Sequence, residues 1–368
     1  MQETEMTPTL READRLMVVC NSCRYCEGIC AVFPAMEMRR SFVAGDLRYF
    51  ANLCHGCGAC YDDCQFAPPH EFDVNVPKVM AQLRVESYAH YAWPPAAAGL
   101  FRRNGLVITL IAALSIAVFI AGFVAWTDPG ALFAVHSGPG SFYRLMPHGT
   151  MVAIFGAAFL YAVLAIAMGL RAFWRDGGDA QSLDYAKAGH DAATLRYLDG
   201  GGAGCRDSDR PGWDTRRLFH HMTFYGFLLC FASTTAATLY HYLLRLPAPY
   251  AWYDLPVVLG TLGGVGLLIG PVGLLVEKCK REPSTQDRDL WGMDIAFLAM
   301  LFLTSLTGLA LLVLRSTPAM GLLLAVHLGV VFGLFVTLPY GKFVHGLYRY
   351  AALARYARER TSSSGSTR

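Results

Sequence analysis

Charge is what this sequence has least of. Asp, Glu, Lys and Arg make up 16% of its 368 residues, where ordinary soluble domains run at about 25%. With 54% of the residues apolar, a large part of the chain must face lipid. The net charge of +3 is too small to suggest nucleic acid as a partner. Also missing are a Rossmann-type glycine fingerprint after a strand, any nucleotide site and an acid–base constellation, which argues against a self-contained catalyst. No secretory signal peptide is visible: the N-terminal MQETEMTPTLREADR is polar and acidic and leads directly into a cysteine motif.

Those cysteines carry the chemistry. Cys20, Cys23, Cys26 and Cys30 form C-x2-C-x2-C-x3-C, and Cys54, Cys57, Cys60 and Cys64 repeat that spacing. A cubane iron–sulfur cluster needs three closely spaced thiolates and one from elsewhere, because its irons sit at tetrahedral corners. In the two-cluster arrangement the fourth cysteine of each run ligates the other cluster. The spacing therefore assigns Cys20, Cys23, Cys26 and Cys64 to one [4Fe–4S] cluster, and Cys54, Cys57, Cys60 and Cys30 to a second. Zinc would leave the third closely spaced cysteine of each run without a role, and disulfides do not suit a domain that faces a reducing cytoplasm. The usual proline directly after the fourth cysteine is absent; Pro34 and Pro68 stand four residues beyond Cys30 and Cys64, so the repeat survives with a different turn. Gly28, Gly56 and Gly58 lie where backbone must wrap closely around a cluster. The remaining Cys205, Cys230 and Cys279 are scattered and read as structural thiols.

Residues 1–90 read as the cluster domain. Within 36–53, Met38, Phe42, Leu47, Tyr49 and Phe50 fall at mixed helical spacing and predict a helix leading into the second motif, which favours a helical ferredoxin. Residues 91–104, aromatic and proline-rich from Tyr91 to Pro95, read as an interfacial linker. A six-helix membrane domain at 105–348 follows. Its apolar segments, each near the roughly 20 residues a bilayer requires, are Gly105–Trp126, Gly149–Phe173, Leu218–Leu244, Leu255–Val276, Trp291–Leu314 and Ala319–His345. The fourth is glycine-rich, with Pro271 inside it, which suits close helix packing better than a ligand site. Loop 174–217 contains Gly200-Gly201-Gly202-Ala203-Gly204 and reads as a flexible or partner-docking connection, since no strand pattern precedes it. Residues 349–368 read as a basic, partly disordered tail, Ser-rich from Thr361.

Lysine and arginine then set the topology. The flank Arg102/Arg103 and the stretches 171–217, 277–290 and 342–368 hold twenty basic residues, whereas the opposite loops hold only Arg144, Arg245 and Arg315. Both termini and the cluster domain are expected in the cytoplasm, with the helices in the inner membrane and in contact with its lipid.

Ionisable groups inside a bilayer are costly and so are functional candidates, and imidazole is a common axial haem ligand. On the sixth segment His327 and His345 are eighteen residues apart, which on one continuous helix is five turns on one face and about 27 Å along the axis. On the third, His220/His221 and His241 mark the two ends, and His148 opens the second. The pattern suggests two b-type haems. The inner one would use His345 with His221 or His220, and the outer one His327 with His241 or His148. His220 and His241 differ by about 60° around the helix, which favours His220 if both haems face one groove. Arg216 and Arg217 are candidates for the propionates, or simple inside-positive anchors. Histidines at helix ends also sit in interfaces without a ligand role, a reading that applies least to His327.

The stretches DLRYFANLCHGCGACYDDCQFAPPHEF and RRLFHHMTFYGFLLCFAST, with GGGAGC between them, resemble the tricarballylate-utilisation protein B family (TcuB, also named CitB). The resemblance covers nearly the full length and includes the domain order. It implies an iron–sulfur and haem membrane protein that reoxidises the flavin of a partner, the FAD-dependent tricarballylate dehydrogenase, and passes electrons to the quinone pool. The six-helix part is similar in plan to the cytochrome b subunits of nitrate reductases, although the ligands are spaced differently there. The expected architecture is all-α: a helical ferredoxin-like domain followed by a cytochrome b-like six-helix bundle. The expected role is an electron-transfer subunit; the rivals are an anchor for another flavoprotein dehydrogenase or a heterodisulfide-reductase-like complex, and a membrane redox sensor.

Overall fold

The computed structural model describes residues 6–177, 184–198 and 214–365. Gly200–Gly204, Cys205 and the last three residues of the expected tail lie outside them. Every described element is helical, and no strand occurs among the described residues.

The cysteine-bearing part is built from α1 (Pro8–Cys23), α2 (Val32–Glu37), α3 (Ala44–Leu53), α4 (Ala59–Asp62) and α5 (Val76–His90). Caps define two of these starts: Thr7 Oγ1 accepts from the Leu10 N–H, and the Asn75 side chain accepts from the Lys78 N–H, each satisfying a donor the first turn leaves free. The predicted helix before the second motif is α3, preceded by the shorter α2. Leu10, Leu16, Met17, Met36, Leu47, Phe50, Met80 and Leu83 are fully buried and form its core.

Six helices are long and apolar enough to cross a membrane: α6 (Asn104–Trp126), α8 (His148–Asp176), α10 (Thr215–Tyr242), α11 (Leu255–Lys280), α12 (Trp291–Leu314) and α13 (Met320–Thr337), the last continued by α14 (Val344–Gly365). Two short helices, α7 (Pro129–Leu132) and α9 (Tyr185–Ala193), fill connections. The chain is thus a multi-pass membrane protein. Glycines decide how closely its helices pack. A Cβ on Gly263 would stand 2.7 Å from the Gly226 carbonyl oxygen, and one on Gly329 would stand 2.6 Å from the Ile116 Cα. Cβ-free surfaces let α10 meet α11, and α13 meet α6, backbone to backbone.

Two features differ from the sequence reading. The last membrane segment is not one helix through His345. A 3-10 turn at Leu338–Tyr340 separates α13 from α14, and Gly341 is extended, so the face shared by His327 and His345 over five continuous turns does not exist. Proline removes a helical N–H at Pro339, and the Tyr340 hydroxyl ties the break to the Trp93 carbonyl (2.9 Å) and to Tyr161 (2.6 Å). Residues 349–365, expected as the greater part of a tail, belong instead to α14. Ala351, Ala352, Leu353, Ala354, Tyr356 and Ala357 on this helix are buried in the same core as the cysteine-bearing helices. Glu359 ion-pairs with Arg39 and, at 2.9 Å, with Arg355. Asp176, at the end of α8, accepts from Arg48 (3.0 Å) and from the Tyr91 hydroxyl (2.6 Å). The cysteine domain is therefore bolted to one end of the membrane bundle.

Candidate functional site

The eight motif cysteines fall into two groups that cross the sequence order. Cys20 interacts electrostatically with Cys26, Cys64 and Cys23, and these four side chains, together with Cys60, line a cavity of about 30 Å³. Cys30 has Cys54 and Cys57 as its thiol neighbours, and Cys60 has Cys30, Cys54 and Cys57, and after them Cys26 of the first set. Cys64 and Cys30 each stand beside cysteines of the other motif. Burial, and then the neighbouring thiols, push the Cys20 thiol up to about 12 and Cys26 up to about 11. Bare thiols here hold their protons at neutral pH, and only a bound metal group makes thiolates of them. Among the described residues, no three His, Cys, Asp or Glu side chains converge on a single ion. Gly56, at φ +58°, directs its N–H at Cys54 Sγ (3.3 Å), and Gln65 Nε2 donates to Cys23 Sγ at 3.8 Å.

The second cysteine loop also forms a wall of a cavity of about 530 Å³ between the cysteine domain and the membrane helices. His55 and Gly56 line it, facing His220, His345 and Phe227. The rings of His220 and His345 are 6.3 Å apart, centroid to centroid, and inclined by 71°. Two imidazoles bound to opposite sides of one metal at about 2.0–2.1 Å per bond place their nitrogens about 4 Å apart, and the centroids lie farther by a ring radius on each side. His220 and His345 have that room. His345 Nδ1 donates to the Lys342 carbonyl at 2.5 Å, which fixes the ring and leaves Nε2 as the nitrogen able to bind a metal. His220 Nδ1 is buried without a hydrogen-bond partner. His221 instead faces Tyr225 on its own helix. Of the two candidates for the inner position, the structure brings His220 to His345.

At the other end of the bundle, His148 and His241 stack at 3.8 Å and 24° beside Tyr143, too close for an iron between them as they stand. His327 is elsewhere: its Nδ1 hydrogen-bonds to Thr307 Oγ1 at 3.0 Å, and its ring packs on Gly308 of α12. No ring contact joins His327 to His148 or His241 among the described residues. Thus His327 is not brought to either of the histidines suggested as its partner, although those two meet each other, and it has a polar partner, Thr307, that the sequence did not reveal.

Arginines surround the second cysteine loop. Arg84 donates to the Ala51 carbonyl (2.7 Å) and the Cys54 carbonyl (2.5 Å), Arg349 to the Cys54 carbonyl (2.9 Å), and Arg216 to the His55 carbonyl (3.2 Å). Burial, followed by Arg349, holds His55 well below the usual histidine range, so its ring is neutral. Arg216 thus ties helix α10 to the cysteine loop, whereas Arg217 pairs with Asp214 at 3.6 Å. Arg84, Arg349, Asp294 and Lys342 were not singled out by sequence reasoning. For Asp294 and Lys342 the available signal was a charge inside or bordering an apolar segment. Cys230 packs against Gly263 between α10 and α11, as a structural thiol does, whereas Cys279 is exposed.

Comparison with known proteins places this geometry. Residues 99–366 match the family described as CitB, citrate utilization protein B, and residues 13–90 match its Fer4-like domain, CitB_N. The chain belongs to the citrate utilization protein B family. It is 49% identical over 358 residues to citrate utilization protein B of Escherichia coli, covering 96% of this chain and 94% of that protein. No solved structure matches it. In this family member the Fer4-like match holds all eight motif cysteines, the 99–366 match holds the membrane helices with His220 and His345, and residues of both line the large cavity.

Proposed function

We propose that this protein is the membrane electron-transfer partner of a flavoprotein dehydrogenase acting in tricarboxylate utilisation, with tricarballylate dehydrogenase as the specific partner. Its place is the inner membrane, with both termini and the cysteine domain in the cytoplasm. The reading gives it two [4Fe–4S] clusters, held by Cys20, Cys23, Cys26 and Cys64 and by Cys54, Cys57, Cys60 and Cys30. A b-type haem is held by His220 and His345, with His148, His241 and His327 as the histidines available to a second. When bound, these groups supply one-electron carriage between a two-electron flavin donor and the quinone pool.

The observation that carries the reading is the shared wall: His55 and Gly56 of the second cysteine loop line the same cavity as His220 and His345. The protein's own residues there hold, orient and insulate. Arg84, Arg216 and Arg349 grip the carbonyls of the loop and hold its His55 and Gly56 against the cavity. Their positive charge favours a negatively charged group on either side of the loop. Phe224, Phe227, Phe297 and Phe343 give the cavity apolar walls that keep water from the carriers.

The test is anaerobic purification in detergent, with iron, sulfide and haem assayed per chain. Reduction by a reduced flavoprotein is then followed by optical and EPR spectroscopy. About eight non-haem irons, an interacting cluster signal and reoxidation by quinone are expected. Zinc in place of iron ends the cluster reading, and clusters that react with oxygen but never pass electrons to quinone make the protein a sensor.

A further inference from the structure

The proposed function does not say where quinone is reduced. Resting on that reading, we infer that the Asp294 side of the large cavity is the quinone-reduction site, with Lys278 and Lys342, held in place by Asp294, donating to the quinone carbonyls and delivering their protons.

Asp294 sits in the first turn of α12. Lys278 Nζ of α11 approaches one carboxylate oxygen at 2.7 Å, and Lys342 Nζ, in the break between α13 and α14, approaches the other at 2.8 Å. All three line the cavity. Two ammonium groups to one carboxylate leave a surplus of donors facing an apolar space, an expensive arrangement in a membrane helix bundle unless it is used. Lys342 links this wall to the other: its carbonyl accepts from His345 Nδ1, while its ammonium meets Asp294. The proton-carrying groups therefore adjoin the ring proposed to hold the electron carrier, which is the juxtaposition that reducing a quinone requires.

The cavity suits the ligand in other ways. Phe297 and Phe343 line it on the Asp294 side, giving the quinone ring apolar walls. Phe224 and Leu228 on its rim are 36% and 44% exposed on the flank of α10, giving an apolar mouth from which an isoprenoid tail reaches lipid. Protons have a route from water, because Glu277 lines the cavity and pairs at 3.6 Å with Lys280, whose side chain is 68% exposed.

The chemistry balances. Two electrons from the reduced flavoprotein, arriving singly through the carriers, enter the quinone ring. Each carbonyl oxygen gains one proton from a lysine ammonium and becomes a hydroxyl, and each lysine is reprotonated from solvent past Glu277. The Asp294 carboxylate holds the ammonium groups in place and stabilises their charge between deliveries.

The experiment uses the full-length protein in lipid nanodiscs, with wild type, Asp294→Asn and Asp294→Glu matched for iron and haem content. Binding of a short-chain menaquinone to the oxidised protein is measured by equilibrium dialysis. Quinol formation is measured after the carriers are reduced with dithionite and the excess reductant is removed by anaerobic gel filtration before quinone is added. In Asp294→Asn the two ammonium donors lose the carboxylate that positions them, and quinol formation should fall about a hundredfold, the lower end of what a positioned proton donor contributes. Quinone retention should weaken, the carriers should still reduce fully, and Asp294→Glu should restore most of the rate. Wild-type quinol formation and binding in Asp294→Asn would overturn the site while leaving the electron-transfer reading intact. Reduced wild-type carriers that no quinone reoxidises would overturn both. If Asp294→Asn fails to fold, Lys278→Met is read by the same two measurements, with the same expected losses and the same overturning result.

Discussion

Cys64 lies at the end of the second motif yet sits among Cys20, Cys23 and Cys26. Cys64→Ser should therefore damage the cluster of the first motif and spare the signal of the other; EPR of the reduced variant reads this directly, and loss of the second-motif signal would reverse the assignment. The thiols also predict a pH effect on apoprotein. With Cys20 raised to about 12 and Cys26 to about 11 from an ordinary value of 9.0, the unfolded chain gives up these protons before the folded one. Their stabilisation is complete below about pH 9 and declines as pH rises toward the folded values. Thermal unfolding of metal-free protein should accordingly shift to lower temperature from pH 9 to pH 11, and a flat or rising midpoint would contradict it. His327 is a different case. Because it hydrogen-bonds to Thr307, His327→Ala should leave the haem of His220 and His345 in place and cost about 1–3 kcal/mol, as loss of a buried polar partner does. A change in the haem difference spectrum would restore His327 to the ligand set.

Among the elements, the pair α10 and α11 decides the shape of the cavity, because α10 carries Arg216 and His220 while α11 carries Lys278. Their contact depends on glycine. A Cβ at Gly263 would press on the Gly226 carbonyl oxygen and, at 2.8 Å, on the Cys230 nitrogen, which are backbone atoms with no room to yield. Gly263→Val should force the helices apart at a cost of about 1–3 kcal/mol or more and lower the haem-to-protein ratio. Gly156→Ala, where nothing lies within 4 Å, should do neither. Thermal unfolding of the two variants side by side makes the comparison; equal stability would mean the contact is looser than it stands. Helix α14 has the complementary role, fixing the cysteine domain through Glu359 and the buried Ala351–Tyr356 face. Its helical course was not legible in the sequence because a basic, serine-ending segment looks like a tail when the acidic and aromatic partners on α3 are unknown.

Over the whole molecule, one end is crowded with charge and cysteines and the other has few cations. The twenty basic residues on one side and three on the other predict that a reporter fused after Arg368 behaves as cytoplasmic and one inserted near Ser137 as periplasmic. A cytoplasmic signal at Ser137 would overturn the orientation. Six membrane helices and two cysteine motifs were readable from sequence because apolar length and ligand spacing are local properties, set by bilayer thickness and cluster size. The pairing of histidines was only half readable. His220 and His345 are 125 residues apart, and their approach depends on how α10 and α14 enter the bundle. The 3-10 break at Leu338–Tyr340 overturned the helical arithmetic linking His327 to His345. The arginine grip on Cys54 and the Lys278–Asp294–Lys342 wall were decided by tertiary structure alone. A charge in an apolar segment announces that it needs a partner, but only packing determines which side chain, from which helix, is close enough to be one.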